Sequence, residues 1–462
     1  MALASIAVGG CSCAETETIV CCVLEDARSL RSEDSCSSSG GRAEPAATCG
    51  ADAGSDGGAA MDALVVLDTA SDGALDAGVV DAGDEPDDVS PDATDLDAGP
   101  LETCLGAEGR ADGLASAVAF SADGARVILG AESNSGFAPG AGHARVFERA
   151  GGGWMQVGED LDGEAMGDRF GVGVAMSSDG TRVAVGAYLH EGATGRVRVF
   201  DLDGASWAQV GASLDGAGRS YGHGASLALS GDGTRLIVGG PGVSTTSGHV
   251  VVYELRAGVW ETTGTFAGTS EDGTDVDISD DGQRIAIGAP SRLGGSPGGQ
   301  ARMFEWTGTD WASMGEIAGV AASDGAGTSV SLSSDGSRIA IGAPYHAGGG
   351  LQAGQVRVFR WTGDAWAQVG ADLLGRARER LGTSVRLSAD GTRVLAGGPN
   401  DGGAVRLYTL VADAWEQASS PVFHTTGRNG TDVAISADGR TIAASAPYEH
   451  GGAGEVCLYD VP

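Results

Sequence analysis

Residues 329–370 read SVSLSSDGSRIAIGAPYHAGGGLQAGQVRVFRWTGDAWAQVG. Four strand-like stretches share this segment. A short run ends at Ser333-Ser334-Asp335-Gly336, and Asp-Gly is a strong hairpin turn because glycine reaches positive φ at little cost. The β-branched run that follows ends at Gly342-Ala343-Pro344, where proline removes a ladder donor and stops the strand. Val356-Arg357-Val358-Phe359 forms the third stretch, and the fourth begins at Trp366-Ala367-Gln368-Val369-Gly370.

The same pattern recurs through the chain. Ser-x-Asp-Gly followed by a basic residue occurs seven times, with aspartates at Asp123, Asp179, Asp232, Asp281, Asp335, Asp390 and Asp438. They are spaced 56, 53, 49, 54, 55 and 48 residues apart. A period near 50 built from short strands is the signature of propeller blades. The expected fold is therefore all-β: a seven-bladed β-propeller over residues 101–462, with four antiparallel strands (a to d) in each blade.

Two spacings tell the faces of the disc apart. From the strand c aromatic to the strand d tryptophan, as in Phe147 to Trp154 or Tyr408 to Trp415, the separation is 7 in all six repeats that contain the pair. From the turn aspartate to the strand c aromatic it varies between 18 and 24, and from the tryptophan to the next aspartate between 21 and 25. In a meander the a–b and c–d turns share one face, and the b–c loops and d–a links share the other. Constant turns suit a frame, whereas variable loops on a rigid scaffold are where binding is expected. The tryptophans read as packing between blades. The Asp and Arg of each turn read as turn caps and surface pairs.

The seventh repeat reaches Glu455-Val456-Cys457-Leu458-Tyr459 with no tryptophan after it. Leu101 lies 22 residues before Asp123, inside the range from tryptophan to turn aspartate, so residues 101–106 are expected to supply the missing strand. The repeat register then places Cys104 opposite Cys457, within disulfide reach. Two free thiols, or Cys104 paired with Cys49, are the alternatives.

Composition bounds the rest. The chain of 462 residues carries 80 glycines, 63 acidic and 28 basic residues, and a net charge of −35. Nucleic acid and anionic lipid are poor partners for such a chain. Residues 37–100 are rich in Ala, Asp, Gly, Ser and Pro and read as a disordered acidic linker. Residues 1–36 read as a cysteine-rich, signal-like segment. Val8-Gly9-Gly10-Cys11 resembles a lipoprotein cleavage box, which makes Cys11 the lipidation candidate, although a positive n-region is missing. Six of the eight cysteines fall in the first 49 residues, which fits an oxidising compartment. An exported, surface-anchored monomer is expected.

The repeats resemble bacterial FG-GAP repeats, which are similar to the N-terminal propeller of integrin α-chains. The carriers are Phe170-Gly171, Tyr221-Gly222 and Leu381-Gly382 before strand a, the Gly-Ala-Pro ends of strand b, and Gly142-His143 and Gly248-His249 before strand c. The resemblance implies an extracellular ligand-binding propeller and names no ligand. Calcium-binding blades of that family carry D-x-D-x-D-G. Here the best case, Asp280-Asp281-Gly282, offers too few oxygens. No metal or other cofactor is expected, and a chelator should leave the melting temperature unchanged.

The motifs of common hydrolases and phosphate loops are missing. The b–c loops carry Tyr188 with His190, Tyr345 with His346, and Tyr448 with His450, and these six residues are the candidate ligand contacts. Strand a edges the central channel with small residues such as Ala119, Ala175 and Ala228. Asp275, Asp277, Arg386 and Asp432 are the exceptions. The leading expectation is a non-catalytic module binding protein or glycan through the b–c and d–a face. The alternative is an exported polysaccharide hydrolase or lyase using paired carboxylates at the channel mouth.

Overall fold

The structure is a computed structural model. It describes residues 19–24, 27–32, 42–44, 102–107, 112–219, 222–242, 247–268, 271–290, 298–418, 430–447 and 452–462. Cys11, Tyr221, Tyr448, His450 and nearly all of residues 1–100 lie outside them. Within the N-terminal unit, Ile19–Leu24, Ala27–Ser32 and Arg42–Glu44 form a three-stranded antiparallel sheet with Ile19–Leu24 at its centre. The last of these strands lies inside the range read as linker. Among the described residues no helix is long and apolar enough to cross a membrane.

From Glu102 onward the chain forms seven antiparallel sheets, the blades of a propeller, each with a four-stranded path. In blades one, two and five a two-residue strand, Leu161–Asp162, Leu214–Asp215 or Leu373–Leu374, also pairs with the third strand. Blade five shows the rule, with strands Ser329–Leu332, Arg338–Ala343, Gln355–Trp361 and Trp366–Gln368. Blade seven is assembled from two places in the chain. Its first three strands are Val433–Ile435, Thr441–Ala446 and Glu455–Asp460, and its fourth is Glu102–Gly106. The register sets Cys457 opposite Cys104, and the two sulfurs are bonded across a sequence separation of 353.

Adjacent blades are joined by three kinds of contact. The first involves the tryptophans. Trp207 Nε1 donates to the Val157 carbonyl at 2.9 Å, Trp260 to Val210 at 3.1 Å and Trp415 to Val369 at 2.9 Å, each acceptor belonging to the preceding blade. The indole lies over the glycine that follows. A Cβ at Gly158, Gly211 or Gly370 would stand 2.6–2.9 Å from the indole Cδ1. Trp-x-x-Val-Gly is therefore one inter-blade joint written across two repeats.

The second kind is a closed circuit of backbone hydrogen bonds. The residue between Ser and Asp in each turn donates its N–H to the matching carbonyl of the next blade. The order is Ala122, Ser178, Gly231, Asp280, Ser334, Ala389 and Ala437, and the last donates back to Ala122, with every distance between 2.8 and 2.9 Å. The third kind is arginine. In six blades the Arg of the turn motif crosses to the next blade's turn; Arg182 Nη1 reaches the Gly233 carbonyl at 2.8 Å and Arg338 the Gly391 carbonyl at 2.8 Å. Blade seven reads Ser-Ala-Asp-Gly-Arg-Thr, so Thr441 occupies that place and packs against Gly124.

Within each turn the serine and aspartate act as caps. Ser177 Oγ donates to Asp179 Oδ1 at 2.7 Å, and the Thr181 N–H donates to the same oxygen at 2.9 Å. In Asp123 and Asp438 these bonds, chiefly the one from the serine, hold the carboxyl below its ordinary range.

Candidate binding face

The strand order leaves the b–c loops and d–a links on one face of the disc. In four blades a buried acid at the entry to strand a holds a basic side chain, from the b–c loop in blades two and five and from strand c in blades four and six. Asp168 Oδ2 lies 2.9 Å from His190 Nδ1, and Asp324 Oδ2 lies 3.0 Å from His346 Nδ1. Glu379 holds Arg406 with two bonds of 2.6 and 2.7 Å, and Asp272 holds Arg302. Two of the three loop histidines singled out from sequence thus stand against carboxylates, and the third, His450, lies outside the described residues. His190 is 7% exposed, and its Nε2 has no hydrogen-bond partner. Tyr188 is half-buried, which raises its hydroxyl pKa, helped by Glu132. Tyr345 is half-buried as well, with the Arg380 guanidinium 5.1 Å from its ring centre.

One histidine cluster escaped the sequence reading. The glycine of each strand b end packs against the carbonyl of the glycine entering the next blade, and in blade three that partner is Gly224. Gly195 bridges to His223 as Gly142 bridges to Phe170 and Gly354 to Leu381. The Phe-Gly equivalent of blade three is therefore His223-Gly224, not Tyr221-Gly222. His223 fills a slot meant for an apolar side chain and is fully buried. Its Nδ1 is 3.0 Å from His249 Nε2, and its Nε2 is 3.2 Å from the Tyr253 hydroxyl. Burial, then His249, depresses the His223 pKa to about 3, and burial pushes Tyr253 up to about 12. The signal was present as a histidine directly before a conserved-in-register glycine, but the Tyr-Gly two residues earlier hid it.

The channel residues are stitches between inner strands. Asp275 Oδ2 accepts from the Val330 N–H at 2.9 Å, Asp277 Oδ2 from Leu332 at 2.7 Å and Asp432 Oδ2 from Val118 at 3.0 Å. At the next junction serines take over, with Ser329 and Ser331 accepting from Val385 and Leu387. Arg386 stands between Asp275 and Asp432, 3.7 Å from each. On the turn side lies a cavity of about 210 Å³ lined by Asp277 and Arg386, and on the loop side one of about 160 Å³ lined by Asp275, Asp432 and Arg386. Burial raises Asp277 to about 6, against the pull of Arg386. Both cavities are below the ~300 Å³ usual for a drug-sized ligand.

Among the described residues two groups bring three ligand-type side chains together. In one, Cys104 and Cys457 are bonded to each other beside Glu455. In the other, His143, Asp160 and Asp162 have the Arg145 and Arg198 guanidinium groups as neighbours, which compete with a cation. No family model matches the chain, and a search of the curated proteins finds no relative.

Proposed function

We propose that this chain is an exported, surface-tethered propeller of FG-GAP type. It binds a protein or glycan ligand through its b–c loops and d–a links and carries out no catalysis. The observation that supports this reading most is how the two faces use their groups. On the turn face, the aspartates, serines and arginines are engaged in caps and inter-blade bonds. On the loop face, large apolar side chains stand in solvent: Phe137 at 62%, Met166 at 72%, Val320 at 60% and Leu351 at 65% exposure. Apolar groups exposed on variable loops of a rigid frame are available for recognition. The channel carboxylates accept backbone N–H groups from the neighbouring blade, which supports a structural role over paired acid–base chemistry. The bonded Cys104 and Cys457 fit an oxidising compartment outside the cytosol.

The test is a screen of the full chain on glycan and peptide arrays, repeated with Tyr188→Ala, Tyr345→Ala and, on the opposite face, Asp179→Ala. The reading expects the two loop variants to lose any signal by about tenfold or more. Asp179→Ala should keep it. Signal lost only in Asp179→Ala would place recognition on the turn face and refute the assignment. Hydrolysis of an arrayed polysaccharide that is abolished by Asp277→Asn would favour the channel reading instead.

A further inference from the structure

The d–a link between blades five and six carries Arg376, Arg378 and Arg380 within five residues, in a chain of 63 acidic and 28 basic residues. It lies directly on the b–c loop of blade five. The Arg378 N–H donates to the Leu351 carbonyl at 2.7 Å, and the Arg380 N–H to the Gln352 carbonyl at 3.1 Å. Leu374 Cδ2 would be 3.3 Å from a Cβ on Gly348. Arg376, Arg378, Leu351 and Leu374 thus belong to one doubled layer of backbone. Leu351 is 65% and Leu374 40% exposed, and both arginines are exposed.

The charge here is reversed relative to the matching link of another blade. Gly163 and Gly375 hold equivalent places, each against the carbonyl of a b–c loop, Ala141 and Ala353 respectively. After Gly163 comes Glu164, which binds Arg196 at 2.6 Å. After Gly375 comes Arg376, and the strand c position filled by Arg196 in blade two is Ala404 in blade six. Arg380 is committed to Gln352 and to the Tyr345 ring. The Arg376 N–H donates to Glu379 Oε2 at 2.6 Å, but among the described residues neither the Arg376 nor the Arg378 guanidinium has an ion-pair or hydrogen-bond partner.

We propose that the surface formed by Leu351, Leu374, Arg376 and Arg378 binds an acidic peptide segment of a partner protein, one that carries aliphatic side chains beside its carboxylates. The inference rests on the loop-face reading above and gives that face a ligand chemistry. Two unpaired guanidinium groups fit carboxylates, which arginine grips bidentately. The exposed leucines decide between peptide and acidic glycan. A sugar would want a bare aromatic face, and the aromatic of this patch, Tyr345, already has Arg380 over its ring. An aliphatic side chain gains from leaving water, and two solvent-facing leucines are placed to cover it.

The experiment measures fluorescence anisotropy of a labelled synthetic peptide of about a dozen residues, rich in aspartate and leucine, on the full chain. An aspartate–serine peptide and polygalacturonate serve as the comparison ligands. The variants are R376E/R378E, L351S/L374S and, on a different link of the same face, R219E. All are compared at matched melting temperature. The expected result is binding of the aspartate–leucine peptide that weakens with added salt. It should fall about tenfold or more in R376E/R378E and about fivefold in L351S/L374S, and change less than about twofold in R219E. Failure of the peptide to bind, equal affinity for the serine peptide, tighter binding of polygalacturonate, or indifference to R376E/R378E would each overturn the proposal. If an array ligand is still lost in Tyr345→Ala while this peptide fails, the loop face stands and only its acidic-peptide chemistry falls. If array signal is lost only in Asp179→Ala, both fall together.

Discussion

At the scale of single residues, each turn aspartate is bonded inside its own turn, while in six blades the arginine beside it also binds the turn of the next blade. The turn aspartates were legible as caps because a cap is local, made two residues away. The arginines beside them were legible as surface pairs, which Arg182 makes with Asp201 at 2.6 Å, but their bond to the next blade's turn, about one repeat ahead, was not. His190 and His346 were read as ligand contacts because they sit in loops. Their acids, Asp168 and Asp324, lie 22 residues earlier and come close only when the blade closes. His223 makes the most specific residue-scale prediction. In the unfolded chain it titrates near its ordinary 6.5, and in the fold near 3. As pH falls the unfolded state takes up the proton first. The stability tied to the neutral ring is therefore complete above about pH 6.5 and is lost progressively toward pH 3. The slope reaches at most about 1.4 kcal/mol per pH unit for one such group. His223→Phe restores the apolar side chain found at Phe170, so its melting temperature should drop less than that of the parent between pH 7 and pH 4.5. Equal losses in both proteins would show that His223 is not the titrating group.

At the scale of elements, the four strands of each blade and their order followed from alternation, the Asp-Gly turn and the constant aromatic-to-tryptophan distance. A hairpin is a short-range object, and its signal survives in one sequence. The joints between blades are long-range, and only part of them was visible. The tryptophans were correctly expected to pack between blades. That four of the indoles, Trp207, Trp260, Trp311 and Trp415, seat on a glycine one blade earlier became visible only in three dimensions. A paired substitution isolates this joint. Gly211 and Gly204 both have positive φ, 73° and 63°. A Cβ at Gly211 would stand 2.9 Å from the Trp260 Cδ1, while one at Gly204 meets nothing within 4 Å. Gly204→Ala should cost about 1 kcal/mol for backbone strain alone. Gly211→Ala should cost about 1–3 kcal/mol more, because it overpacks the joint. Urea unfolding midpoints give the difference, and equal costs would mean that the indole does not seat there.

At the scale of the whole molecule, two closed circuits define the disc. One is the ring of seven backbone hydrogen bonds through the turns. The other is the ring of blades, completed where Glu102–Gly106 pairs with Glu455–Asp460. The seam between blades seven and one lacks the turn arginine, with Thr441 in its place. It is held instead by Asp432 on the Val118 N–H and by the two-bonded pair of Arg149 with Asp460. The strand borrowed from before the first repeat was legible because the spacing from tryptophan to turn aspartate carried over to Leu101. The loop face was legible only as a region, because what a loop recognises depends on side chains brought together from several repeats. The loop face can act as one surface only if a closed and rigid ring carries it. Peptide mapping of the non-reduced protein tests that most directly. The account predicts a Cys104 peptide joined to a Cys457 peptide. It also predicts a stability loss of about 3–5 kcal/mol in Cys457→Ser, from opening so long a loop. A Cys104 peptide found free, or joined to Cys49 or any other cysteine, would contradict the closure on which the disc depends.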